Sequence, residues 1–158
     1  MLKIRKIESG DNAVLTYIIR EVLASFGAVG KGYAYADWST EHMFEAYSAP
    51  GRMYWVVEED GEVKGGGGFA ELEGEPDVCE VQKMYFLQEI RGKGMGKAIM
   101  EKALNEAKKY GYKRAYLETL SNMYVAKGVY EQYGFIYLNG RLGKTGHHKC
   151  HVWMLKEL

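Results

Sequence analysis

VCEVQKMYFLQEIRGKGMGKAIMEKALNEAKKY, residues Val78–Tyr110, combines three physically distinct pieces. Val78 to Leu87, rich in Val, Tyr, Phe and Met, predicts a buried strand. From Gly96 the apolar residues Ile99, Met100, Ala103, Leu104 and Ala107 recur at helical spacing, with Lys97, Glu101, Lys102 and Lys108 opposite and Gly111 as the stop. Between the two lies Arg91-Gly92-Lys93-Gly94-Met95-Gly96. Glycines there let the backbone turn tightly and approach a ligand, and the first N–H groups of the helix lack intrahelical acceptors. The helix dipole and the charges of Arg91, Lys93 and Lys97 add positive potential, so the expected guest is a phosphate or pyrophosphate.

Two common phosphate loops do not fit. A triphosphate loop needs Gly five residues before the Gly-Lys pair and a hydroxyl after it, where this chain has Arg91 and Ala98. A dinucleotide fingerprint started at Gly92 or Gly94 would need its third glycine at Lys97 or Ile99. What fits is R-x-x-G-x-G. Further on, a strand from Ala115 to Thr119 precedes a helix containing Ala126-Lys127-Gly128-Val129-Tyr130-Glu131-Gln132-Tyr133-Gly134-Phe135. In both motifs and their spacing, residues 78–138 resemble the GCN5-related N-acetyltransferase superfamily, whose signatures include A-x-x-x-Y-x-x-x-G-F.

The resemblance implies an α/β (α+β) fold with a mixed, mostly antiparallel sheet, splayed near its middle and flanked by helices on both faces. It implies acetyl-coenzyme A as co-substrate, its pyrophosphate held by Arg91, Gly92, Lys93, Gly94, Met95, Gly96 and Lys97, and its pantetheine arm by the strand end Met84, Tyr85 and Phe86. The implied activity is direct transfer of an acetyl group to the amine of a small molecule or protein. Many members carry Asn seven residues before the signature Tyr; here Met123 holds that place and Asn122 stands one step earlier, as a coenzyme contact or a helix cap.

The 158 residues predict one domain, 1–158, with a core that needs neither disulfides nor metals. Twenty-one basic and 21 acidic residues balance, which gives no sign of a nucleic-acid or membrane partner. No apolar run approaches the ~20 residues that span a bilayer, and the N-terminus reads as strand rather than signal peptide, so a cytoplasmic protein with reduced Cys79 and Cys150 is expected.

Along the chain, Leu2–Ile7 reads as a first strand, followed by a helix capped by Asp11 with Leu15, Ile18, Ile19, Val22, Leu23 and Phe26 inward. Residues 28–40 read as a loop; by resemblance this region lines the acceptor site, which makes Tyr33, Tyr35, Asp37 and Trp38 substrate-binding candidates, against the reading of an aromatic-pinned surface loop. A short helix from Ser39 or Thr40 through Tyr47 ends at Pro50-Gly51. Met53–Glu58 and Val63–Leu72 form a hairpin around Asp60-Gly61, and Gly65–Gly68 in its second strand permit a bulge or close backbone approach. After Phe135 a strand runs to Leu138, and a Gly-rich excursion leads to a last strand around His151–Leu155.

Acetyl transfer needs a neutral amine, a polarised carbonyl and a proton for the leaving thiolate. By resemblance Tyr130 faces the coenzyme sulfur as general acid, the alternative being simple packing in a stripe with Val125, Ala126, Val129 and Tyr133. Glu80 stands where the histone-acetylating branch carries its base; it would otherwise bind the cationic acceptor or pair with a neighbour. In His147-His148-Lys149-Cys150-His151, strand alternation would part the ligands, so no metal is expected. A non-catalytic acyl-coenzyme A-binding regulatory module, another acyl donor and a hydroxyl acceptor stay open as alternatives, and exposed edge strands would permit a homodimer.

Overall fold

The computed structural model describes residues 1–158. Strand β1 (Leu2–Lys6) leads to helix α1 (Asn12–Ser25) and two four-residue helices, α2 (Trp38–Glu41) and α3 (Met43–Ala46). Strands β2 (Met53–Glu59), β3 (Glu62–Leu72) and β4 (Glu75–Phe86) follow, then α4 (Met95–Tyr110), β5 (Arg114–Thr119), α5 (Tyr124–Gln132), β6 (Ile136–Tyr137) and β7 (Val152–Glu157). The seven strands form one sheet in the order β1-β2-β3-β4-β5-β7-β6, antiparallel throughout except for the parallel pair β4–β5.

Burial follows the sequence pattern. In β2, Trp55 and Val57 join a cluster with the α4 residues Ile99, Met100, Ala103, Leu104 and Ala107, while Tyr54 and Val56 join a second cluster with the α1 residues Leu15, Ile19 and Leu23. Successive strand residues point to opposite faces, so this alternation places one helix on each side of the sheet. Asp60 and Gly61 turn the β2–β3 hairpin with φ of 52° and 85°, the left-handed pair that matches strand twist. No helix is long and apolar enough to cross a membrane.

The middle of the sheet is where the site is made. Strands β4 and β5 pair over only three positions, Val78↔Arg114, Cys79↔Ala115 and Glu80↔Tyr116, after which they diverge. On its other side β4 bulges: Gly66 pairs with Tyr85 and Gly68 with Gln82, so Lys83 and Met84 oppose Gly67 alone, and Lys83 takes a φ of 52°. The glycine run permits this crowding, since a Cβ at Gly67 would lie 2.0 Å from Met84 Sδ.

Four local expectations need correction. Asp11 does not cap α1 with its side chain; its carboxylate receives two bonds of 2.9 Å from Arg5 and one of 2.7 Å from the Glu8 N–H. The helix expected through Tyr47 breaks at His42, whose φ of −135° and ψ of 48° are not helical. In α5 only Tyr130 is buried, and Val125 is 85% exposed, so the apolar stripe is divided: Tyr130, Ala126 and Tyr133 touch the core, while Val125, Ala126, Val129 and Tyr130 line a cleft. Residues 147–151 are loop, and β7 begins only at Val152.

Candidate active site

The diverging strands open a cleft of about 880 Å³ between the N-terminus of α4 and the exposed face of α5. Met84, Tyr85 and Phe86 form its floor, and Arg91, Gly92, Gly94, Met95, Gly96 and Lys97 its rim. Gly92 and Gly94 have φ of 78° and 82°, a region that side-chain-bearing residues rarely adopt. The turn they make delivers the first free N–H groups of α4 to the rim, where an anion would meet the positive end of the helix. Arg91 is tied to the Phe86 carbonyl at 2.9 Å. Lys93 does not line the cleft; its ammonium pairs with Glu59 at 2.9 Å. Asn122 does line it, but its side chain donates to the Phe26 carbonyl at 3.1 Å instead of capping α5.

A second, smaller cavity of about 50 Å³ lies on the far side of the bulge. It shares Met84, Tyr85, Met123 and Tyr130 with the large cleft, so these four residues stand at the junction. Tyr130 is 8% exposed, and burial pushes its phenol up to about 12, which keeps the hydroxyl protonated at neutral pH. Cys150 lines the small cavity, where burial likewise pushes the thiol up to about 12 and leaves it a poor nucleophile.

Charged groups gather behind and beside this cavity. Glu80 is 6% exposed and does not line it; burial raises its carboxyl above the ordinary range, against the bond it accepts from Gln82 at 2.6 Å. Gln82 in turn accepts a hydrogen bond from the Tyr47 hydroxyl at 2.6 Å, which fixes the orientation of its amide. Glu118 and His147 do line the cavity. Glu118 accepts from Tyr116 at 2.6 Å, Thr145 at 2.7 Å and Arg141 at 3.2 Å. His147 Nε2 lies 2.8 and 3.0 Å from the two oxygens of Asp37, and Lys83, also on the cavity wall, reaches Asp37 at 3.3 Å and Ser39 at 2.9 Å. Burial works against a charged imidazole at His147, but the Asp37 carboxylate outweighs it and raises the pKa. Asp37, for which burial works the other way, is held below its ordinary value by His147 and Lys83.

Glu80, Glu118 and His147 bring potential metal-ligand atoms within 4.8 Å of one another. Each of the three is held by partners outside the group: Glu80 by Gln82, Glu118 by Tyr116, Thr145 and Arg141, and His147 Nε2 by Asp37. Of the loop candidates, Tyr33 reaches the cavity wall and Asp37 its histidine. Tyr35 instead lies beneath the Arg20 guanidinium, and Trp38, 64% exposed, stacks on His42 with ring centres 4.3 Å apart. The sequence marks His147 only as the first residue of His147-His148-Lys149-Cys150-His151, just after the Gly-rich excursion, where one histidine is open to a substrate-side or structural role without any signal as to which.

Residues 19–135 match the family described as Acetyltransferase (GNAT) family. The chain belongs to the GNAT acetyltransferase family. Over 156 residues, 98% of this chain and 93% of the relative, it is 47% identical to the uncharacterized N-acetyltransferase YjgM of Escherichia coli (strain K12). Its fold is shared by a GNAT-family acetyltransferase from Staphylococcus aureus Mu50, with a TM-score of 0.85 at 16% identity over 99% of both chains. It is shared as well by YncA of Salmonella typhimurium, solved with acetyl-CoA, with a TM-score of 0.76 at 20% identity over 99% of this chain and 94% of that one. The mostly antiparallel sheet with helices is the one that the resemblance to the GNAT family implies.

Proposed function

We propose that this GNAT acetyltransferase takes acetyl-coenzyme A in the large cleft and transfers its acetyl group directly to an amine that enters from the small cavity. The observation that carries the reading is the position of Tyr130 at the junction of the two spaces, with its proton retained by burial. The pyrophosphate lies against the rim of Arg91, Gly92, Gly94, Met95, Gly96 and Lys97, and the pantetheine arm runs along Met84–Phe86, where diverging β5 leaves one edge of β4 unpaired. The acetyl-CoA-bound YncA structure, alike in fold, supports this choice of donor. Attack by the amine forms the N–C bond and expels the thiolate, to which Tyr130 gives its proton. The acceptor side carries paired charges, Asp37 with Lys83 and His147 and Glu118 with Arg141, so an amine that arrives as ammonium meets carboxylates already held in place on or beside the cavity wall. Glu80, held back from the cavity, serves through the groups in front of it rather than by direct contact.

The test is coenzyme thiol release from acetyl-coenzyme A across a panel of small amines and amine-bearing peptides. Tyr130→Phe is expected to lower turnover by about 10²-fold or more while coenzyme affinity stays the same. Unchanged turnover would remove Tyr130 from its role, and absent coenzyme binding would overturn the assignment of the cleft.

A further inference from the structure

We propose that His147 is the catalytic base of this enzyme, taking the proton of the incoming ammonium, with Asp37 as its positioning residue. The inference rests on the proposed acetyl transfer and names the group that the transfer still needs, one that removes a proton at the acceptor side. His147 lines the same small cavity as Tyr130, whereas Glu80 does not. Its Nε2 is engaged by both Asp37 oxygens, at 2.8 and 3.0 Å. That contact fixes the ring and places the Nε2 proton on the Asp37 side, so the neutral imidazole presents Nδ1, which makes no protein hydrogen bond, as the basic nitrogen. Asp37 is itself held from behind by Lys83, 3.3 Å away.

The protons balance. An arriving R–NH3⁺ gives one proton to His147 Nδ1 and attacks as R–NH2. The N–C bond forms, the C–S bond breaks, and the thiolate takes the Tyr130 proton. The second nitrogen proton restores the Tyr130 hydroxyl, leaving an amide, a coenzyme thiol and a His147 imidazolium that discharges to solvent.

The groups facing His147 set the pH at which it works. They are Tyr33 and Asp37 from the segment before α2, Glu80, Lys83 and Tyr85 from β4, Glu118 from β5, and Tyr130 from α5, with Arg141 and Cys150 on its own loop. Asp37 and Glu80 favour the imidazolium and Lys83 opposes it, with Asp37 dominant among these charges. Turnover should therefore rise with pH along an acid limb lying above the ordinary imidazole range.

The test compares wild type, His147→Gln, His147→Ala and Asp37→Asn in the thiol-release assay across the neutral pH range, with coenzyme affinity measured for each. His147→Gln keeps an amide donor for Asp37 but has no basic nitrogen; it should lose about 10²-fold in turnover, and the acid limb with it. Imidazole added to His147→Ala should restore part of the rate, and Asp37→Asn should move the limb to lower pH. Coenzyme affinity should hold in all three. Turnover within a few-fold of wild type in His147→Gln, or a wild-type limb surviving in it, would overturn the assignment of His147 while leaving the transfer reading intact. If His147→Gln fell as expected and Tyr130→Phe did not, the acid would be misassigned and His147 would stand. Absence of amine-dependent thiol release in the wild type would overturn both.

Discussion

Lys93 and Lys97 sit four residues apart in the glycine-rich segment but serve different neighbours. Lys93 holds Glu59 at the end of β2, while Lys97 lines the cleft. Lys93→Ala should therefore leave coenzyme affinity within about twofold, because an exposed ion pair is worth only ~0.2–1 kcal/mol. Arg91→Ala should weaken it roughly tenfold, or ~1.4 kcal/mol, when the two variants are compared by calorimetric titration. Equal losses would mean that Lys93 swings to the ligand. The sequence marks both lysines as basic residues near an anion and cannot separate them, since the separation depends on Glu59, 34 residues earlier in the chain. The same limit hid the Asp37–His147 pair, whose members are 110 residues apart. Local patterning reports which residues share a helix face or strand face; it carries no signal for two loops that meet over a cavity.

Among the elements, β3 shows how closely sequence and geometry agree where the cause is local. Gly65–Gly68 signalled a bulge or a close approach; the close approach is in β3 itself, and the bulge lies opposite, in β4. The four glycines are not equivalent, however. A Cβ at Gly68 would meet the Met53 carbonyl oxygen at 2.1 Å and Tyr54 Cα at 2.8 Å, both backbone atoms, whereas at Gly67 it would meet the flexible end of Met84. Gly68→Ala should cost about 3 kcal/mol and Gly67→Ala about 1 kcal/mol, in the range for overpacked sites, read as shifts of the urea midpoint. Gly67→Ala should also disturb coenzyme binding, since Met84 forms part of the cleft floor. Identical midpoints would show that β2 yields as readily as a methionine side chain. The inward faces of α1 and α4 were legible because helical periodicity is a local property, and the hairpin because Asp60-Gly61 is a strong turn signal. The break at His42 was not legible, because there the chain follows tertiary contacts, with Asn12 receiving the Phe44 N–H at 2.8 Å.

For the whole molecule, β1 is fastened to α1 by a carboxylate that was expected only to cap a helix. Arg5 joins Asp11, 5% exposed, and also Glu58 on β2, so one guanidinium ties two strands to the turn before α1. Burial acts to raise the Asp11 pKa, but its bonds to Arg5 and the Glu8 N–H prevail and lower it. A carboxyl depressed in the folded state contributes stability that is full above its unfolded value, near 3.9, and is lost as pH falls through the folded value. Asp11→Asn should thus lower stability by about 2 kcal/mol at neutral pH, and the deficit should shrink in acid, which chemical denaturation at several pH values will test. A deficit that stays constant with pH would mean that the bond geometry, not the charge, matters.

The three rungs between β4 and β5 have a thermodynamic consequence as well. A backbone ladder that short makes the sheet behave as two covers on a narrow spine, one carrying β1–β4 and the other β5–β7. In hydrogen exchange the two should open as separate cooperative units, the β5–β7 cover first, because opening free energies follow local hydrogen bonding and burial. A ligand lying between the covers acts as binding. Its grip should be most visible not in the loop that holds its phosphates but in slowed exchange across β5, α5 and β7, where it replaces the rungs that the chain omits.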